Sequence, residues 1–327
     1  MASLQTKIRI LLLLLSFTIL GALLYFSDIG KVALVISGAN PYYIFLAFLL
    51  SLLLMAVRTF RWRTLLERIR ISVAFPRLFA VYMSGLVVSN LTPGKIGDPM
   101  KSYILKKTSG ISISKSLPSV FMERVFDVSV TVILSFIGIA IVTLPPRIEI
   151  VLFMVIALYF FGVTALLYIS LKKSRIRYLS GKIIRVFSWL PLARKVDKYL
   201  EHFAEKFNES LVNYKDAPTL AKSFVLSLFI WSAEGVILYL CFLSAGIDVN
   251  VLVSVSFLSI AVLIGVTSLL PGGMGSSEVV MVLLFTTTYS LPIYSVTAAV
   301  LMERFFSLWI NIIVGSVCMG SLRSNLK

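Results

Sequence analysis

Apolar positions fall in long runs along this chain: 8–26, 41–57, 75–91, 118–144, 150–171, 220–245, 251–270, 276–291 and 293–322. Crossing a bilayer core of about 30 Å takes roughly 20 apolar residues per helix. Most of these runs have that length. The pattern therefore predicts an all-α polytopic membrane protein. Two runs, 75–91 and 251–270, each stop at a Pro-Gly, and 276–291 is short for a full crossing. Lys7 and Arg9 ahead of the first run resemble a signal peptide. No small-x-small cleavage site follows, so the run reads as a first transmembrane helix.

Composition agrees with this picture. Hydrophobic residues make up 58% of the 327 positions and charged residues 14%, against the quarter usual in soluble domains. Mean hydropathy is +0.96. The polar atoms of such a chain cannot cover the outside of a soluble fold. The formal net charge of +16 fits cytoplasmic Lys and Arg beside a membrane, and nucleic acid is not an expected partner. His202 is the single histidine, which excludes a His-rich metal site, and Cys241 and Cys318 sit in apolar runs as packing residues. No cofactor is expected.

The basic residues suggest an orientation. Arg58, Arg61, Arg63, Arg68, Arg70 and Arg77 crowd one connection. Lys101, Lys106, Lys107 and Lys115 crowd the next, and 172–198 holds a third set. The intervening connections 27–40, 144–150 and 246–250 are nearly free of them. Placing the rich connections in the cytoplasm puts both termini inside the cell membrane. Segment 75–105 must then enter and leave on the inner side, as a re-entrant hairpin, and 251–291 must do the same from outside. Within the cytoplasmic segment 172–218, an amphipathic helix is expected over 194–214.

Two words recur in the same order. Thr92-Pro93-Gly94-Lys95-Ile96-Gly97-Asp98 precedes Met122-Glu123-Arg124-Val125-Phe126. Leu270-Pro271-Gly272-Gly273-Met274-Gly275-Ser276 precedes Met302-Glu303-Arg304-Phe305-Phe306. The chain therefore divides into a first membrane repeat over 1–146 and a second over 147–327. An odd number of crossings per repeat gives inverted topology, the plan of transporters whose substrate sites lie at the repeat interface. Broken backbone at membrane depth also calls for a cavity.

Ionisable residues inside membrane segments mark function by default. Glu234, Glu303 and Arg304 lie within spans, Glu123, Arg124 and Asp127 near the start of another, and Asp98 and Glu278 just after the Pro-Gly turns. Pro93, Gly94, Lys95 and Gly97, with Pro271, Gly272, Gly273 and Gly275, complete the candidate substrate site. A broken helix exposes backbone N–H groups that suit an anion such as phosphate. Arg124 and Arg304 add bidentate donors. Neighbouring Glu and Arg do not face each other on a helix, so each is expected to pair elsewhere, across the repeat axis among other choices.

At these residues the sequence resembles the flippase-like transmembrane region of lysylphosphatidylglycerol synthases, a family with many standalone bacterial and archaeal members. The resemblance spans nearly the whole chain. It implies movement of lipids between leaflets, aminoacylated phosphatidylglycerol and polyprenyl-phosphate-linked sugars among them. The family often has Glu where this chain has Asp98, which keeps the carboxylate but shortens it. The chain stops at Lys327 without the synthases' soluble aminoacyl-transfer domain, so lipid aminoacylation is not expected. Membrane lipids with anionic or zwitterionic headgroups are the expected partners, and homo-oligomers stay open.

The leading reading is a non-enzymatic lipid translocase. No Walker motif is present, so transport is passive or ion-coupled. The alternative is a membrane-embedded lipid-modifying or polyprenyl-phosphate glycosyl transferase, disfavoured by scattered aspartates without a D-x-D and by too short a central connection. A scaffold leaves the repeated broken helices without a purpose. The inside-entry hairpin is testable with single cysteines near Gly94 in a chain lacking Cys241 and Cys318. Labelling from the cytoplasmic side is expected, and labelling only from outside overturns it.

Overall fold

The computed structural model describes residues 2–142, 145–170, 214 and 216–324. Among these the protein is all-helical, with one isolated backbone bridge between Pro93 and Pro271. The helices are α1 (Ala2–Phe26), α2 (Ile29–Ser37), α3 (Pro41–Arg68), α4 (Phe75–Asn90), α5 (Met100–Ser109), α6 (Ile113–Ile141), α7 (Pro146–Ser170), α8 (Ala217–Ser244), α9 (Val251–Thr267), α10 (Ser276–Tyr289) and α11 (Ile293–Arg304). A π-helical turn over Phe305–Trp309 joins α11 to α12 (Ile310–Ser324). The amphipathic helix expected over 194–214 lies outside the described residues apart from Tyr214, whose O–H donates to the Leu65 carbonyl at 2.7 Å.

Among the described residues, four helical stretches are long and apolar enough to cross a bilayer: Pro41–Arg68, Ile113–Ile141, Ala217–Ser244 and Ile293–Leu322. Their apolar exterior continues over neighbouring helices, with Leu14, Phe45, Phe161 and Val317 all exposed. So much open apolar surface belongs against lipid. This is a multi-pass membrane protein.

Three segments differ from the pattern of runs. Residues 27–40, expected as a plain connection, contain α2, which meets α1 at 83°. Asp28 turns the chain there with φ 61° and caps α2 through Lys31 N–H. The run at 41–57 ends at Arg58, yet α3 continues to Arg68, because Arg58 and Arg61 find carboxylates inside the protein. The last run is interrupted by the π turn.

Capping explains where the long helices start. The Asn40 side chain accepts from Tyr42 N–H at 3.0 Å ahead of α3, and Pro41 occupies the first turn. Asp216 does the same for α8 through the Thr219 hydroxyl at 2.7 Å and its N–H, with Pro218 in the first turn. These bonds hold the Asp216 carboxyl below its usual value. Such caps satisfy donors that the first helical turn leaves free.

The helices interleave across the chain. The 28-residue helices α3 and α8 lie along each other. The α4–α5 hairpin packs its first helix on α12, and the α9–α10 hairpin packs its first helix on α6. The two hairpin tips meet: Pro93 faces Pro271, and the Asn90 carbonyl lies against Gly272. Small residues allow the close crossings. A Cβ on Gly138 of α6 would stand 2.5 Å from Ser256 Cβ on α9, and one on Gly315 of α12 would stand 2.4 Å from the Met83 carbonyl on α4.

Gly315→Leu is therefore expected to force α12 from α4 and destabilise the protein by about 1–3 kcal/mol. Gly320→Leu, with nothing within 4 Å of its Cβ, leaves the melting temperature in detergent unchanged. Equal shifts in a thermal melt would contradict the glycine-mediated crossing.

Candidate functional site

Low dielectric governs this site: a buried charge without a partner costs several kcal/mol. The hairpin following each Pro-Gly supplies a carboxylate, and the next long helix supplies the arginine that meets it. Asp98 accepts from Arg124 and from the Ser89 hydroxyl. Glu278 holds Arg304 Nε at 2.8 Å, and Arg304 also donates to Ser277. The two pairs have the same spacing along the chain. Each arginine is thus paired within its own half rather than across the repeat axis.

A pair between the halves does exist, on other residues. Arg58 and Glu234 form an ion pair. They occupy the same position in α3 and α8, eighteenth of 28 residues. The matched prolines at the hairpin tips face one another in the same way.

The first half carries a further network. Arg61, only 2% exposed, donates to Glu123 at 3.2 Å, to Asp127 Oδ2 at 3.3 Å and to Ser227 at 2.7 Å. Trp231 Nε1 donates to Asp127 at 3.0 Å. Lys101 pairs with Glu123 and lies 4.6 Å from the Tyr82 ring centre. Glu123 is thus deeply buried.

Arg58, Arg61 and Lys101 correct the assignment of these three residues to cytoplasmic connections. They were counted there because they follow apolar runs, but each is held inside by a carboxylate. A signal for Arg58 and Arg61 exists in the sequence, since residues three apart share one helix face. Lys101 carries none beyond its place three residues after Asp98.

The turn backbone also differs from expectation. The N–H groups of Lys95, Ile96, Asp98, Met100 and Lys101 donate to carbonyls within the turn, and Gly97 N–H donates to Thr92 Oγ1 at 2.8 Å. These amides are not free for an anion. At this turn Lys95 is the first side chain that could meet an anion. It has φ 58° beside Gly94 at φ 56°, while the matching turn uses Gly272 and Gly273 at φ 62° and 67°. A lysine held where glycine is comfortable is strained. No carboxylate lies within ion-pair distance of Lys95 among the described residues. Its Nζ stands 5.8 Å from the Trp231 ring centre.

Two cavities meet at Lys95. A polar one of about 110 Å³ is lined by Arg58, Arg61, Lys95, Arg124, Asp127, Glu234, Glu303, Arg304, Ser307 and Asn311. An apolar one of about 400 Å³ is lined by Ile96, Leu117, Val120, Phe121, Val128, Tyr159 and Leu263, with Asp98 also on its wall. Gly94, Lys95, Arg124, Asp127, Trp231, Val262 and Val266 line both. Gly272 and Gly273 border the polar cavity. Glu123 and Glu278 stand behind the arginines, and Pro93, Gly97, Pro271 and Gly275 shape the turns without lining either space.

The family model of the lysylphosphatidylglycerol synthase TM region matches residues 10–315. The chain belongs to this family. It is 27% identical to a UPF0104 membrane protein of Methanothermobacter thermautotrophicus, covering 91% of each chain. Its identity to a UPF0104 membrane protein of Methanocaldococcus jannaschii is 26%, over 94% of this chain and 93% of that one. For a UPF0104 membrane protein of Pyrococcus horikoshii it is 25%, over 94% and 96%. Family membership and the apolar helices agree on a membrane protein in lipid metabolism or transport.

No cluster of metal-binding side chains is found among the described residues. Replacing Arg61 by Met leaves Glu123 and Asp127 short of their shared cation. The expected cost is about 3–5 kcal/mol, seen as a large fall in detergent melting temperature. Arg63→Ala, which breaks an exposed pair with Glu67, is expected to cost about 0.2–0.5 kcal/mol. Equal effects would remove Arg61 from the network.

Proposed function

We propose that this protein is a lipid translocase that moves an anionic, aminoacylated or polyprenyl-phosphate-linked lipid between leaflets. One observation carries the reading: a charged cavity and an apolar cavity share a wall at Lys95 and Arg124. A lipid has the same division. The phosphate of its headgroup suits Lys95, which has no carboxylate in ion-pair range among the described residues, and Arg124, whose side chain is 31% exposed. Its chain suits the apolar space bounded by Leu117, Phe121, Tyr159 and Leu263. Trp231, which borders both, lies where the two parts join.

An inverted repeat with re-entrant hairpins is the architecture this function uses. It is supported by the matched Asp98–Arg124 and Glu278–Arg304 pairs, by Arg58 meeting Glu234, and by the contact between hairpin tips. Helix length supports it as well. The 16 residues of α4 and 17 of α9 reach about 24–26 Å at 1.5 Å per residue, short of a full hydrocarbon core. Hairpins entering from opposite faces would bring Pro93 and Pro271 together near the middle. The remaining basic residues Arg63, Arg68, Arg70, Arg77, Lys106, Lys107 and Lys115 favour cytoplasmic termini in the cell membrane and attract anionic lipid.

The test is lipid translocation in proteoliposomes across headgroups of differing charge. Protein-dependent movement of a phosphate-bearing class is expected. Lys95→Ala removes a charge-assisted contact of about 1.5–3 kcal/mol and should slow movement tenfold or more. Val266→Trp, which fills the shared wall, should slow it too. If no lipid moves across the panel, the reading falls.

A further inference from the structure

The repeated words conceal one asymmetry. Glu123 meets two cations, Arg61 and Lys101. Arg61 lies three residues after Arg58, and the residue three after its counterpart Glu234 is Ile237. Lys101 lies three residues after Asp98, and the residue three after Glu278 is Met281. Ile237 and Met281 are both fully buried. Glu303, the counterpart of Glu123, therefore has apolar residues where the first half has cations. Its two carboxylate oxygens are sealed from solvent, and the Ser307 hydroxyl one turn on is their neutral neighbour. The nearest cation is Arg304, with Nε at 3.9 Å, and Glu278 already holds that nitrogen at 2.8 Å.

Lys95 is the complement of Glu303. Around the polar cavity, Arg58 pairs with Glu234, Arg61 with Asp127, Lys101 with Glu123, Arg124 with Asp98 and Arg304 with Glu278. One cation and one carboxylate are left over.

We propose that Glu303 is a proton-binding site whose occupancy sets the charge of the headgroup cavity. This rests on the translocase reading of that cavity. A proton fits the geometry where larger cations do not. An ammonium or sodium ion needs open space at the carboxylate, and both oxygens are closed. Ser307 Oγ and Asn311 Oδ1 recur every four residues after Glu303. Successive positions of that kind are about 6 Å apart along a helix and share one face. They form a polar track along the cavity wall, and the π turn opens the helix along it. Such turns concentrate at functional sites. A proton on Glu303 also removes the cost of an unpaired buried anion.

The consequence for binding is electrostatic. With Glu303 protonated, Lys95 is unbalanced and the cavity carries one excess positive charge, matching a phosphodiester. With Glu303 ionised, the two charges offset each other and an anion gains less. Proton and anionic headgroup therefore bind together, and headgroup affinity falls as pH rises. The surrounding groups do not replace this response. Glu278 from α10 and Glu234 from α8 keep their arginines, Arg58 of α3 being one of them. Asp28 and Lys31 of α2 pair with each other in the open. Cys241 of α8 is buried and neutral as a thiol.

Two measurements test this. Infrared difference spectra of the whole chain in lipid nanodiscs should show a deuterium-sensitive protonated-carboxyl band near neutral pH, absent in Glu303→Gln. An unchanged spectrum in the variant shows that Glu303 is ionised and overturns the proposal. In proteoliposomes carrying a phosphate lipid, a one-proton linkage lets headgroup affinity fall by up to about tenfold per pH unit. Glu303→Gln, which mimics the protonated form, should lose that dependence whatever its rate. A variant that transports with the wild-type pH profile also overturns it. If no lipid moves in the wild type, the translocase reading fails, while the infrared band still decides whether Glu303 holds a proton.

Discussion

A charge inside an apolar medium has to be met by another charge, and that constraint organises this protein. Asp98 and Glu278 follow breaks in their hairpins, and Arg124 and Arg304 sit on the long helices that come next. Neither member of either pair is stable there alone. Each pair thus ties a broken hairpin to a spanning helix. The hairpins in turn carry the Pro-Gly turns that meet one another and wall the cavities. Packing finishes what the ion pairs begin, with Gly138 and Gly315 letting each hairpin's first helix close onto the far half of the chain.

The spans were legible because a bilayer needs long apolar runs, and no soluble alternative hides so many of them. The Pro-Gly turns and the Glu-Arg words were legible because the chain states them twice. Arg58, Arg61 and Lys101 were not. Counting basic residues assigns a charge at the end of an apolar run to water, and nothing local distinguishes a lysine in a loop from one facing a carboxylate two helices away. The bend between α1 and α2 was hidden for a related reason: both sides of it are apolar, so hydropathy carries no mark of the turn at Asp28. The pairing of each arginine with its own hairpin was hidden too, since neighbours in sequence showed only that Glu and Arg point apart.

Symmetry in the words makes the departures from symmetry informative. Where the first half has Arg61 and Lys101, the second has Ile237 and Met281. Where the second has Gly273, the first has Lys95. Both departures change charge at the same cavity, one adding a cation without an anion in ion-pair range and the other leaving Glu303 only a distant share of Arg304. Packing does not demand either. An apolar residue at 303 would fill its closed environment without the cost of a buried carboxylate.

Lys95 makes the same point through the backbone. Its left-handed conformation is one that glycine takes freely, and the other turn uses glycine there. Holding a lysine in that region costs on the order of 1–3 kcal/mol, and no ion pair returns it. Its ammonium is aimed instead at the wall between a charged space and an apolar one. Strain kept at such a place is what the translocase proposal would use, with the ammonium meeting a headgroup phosphate beside an apolar space for the lipid chain.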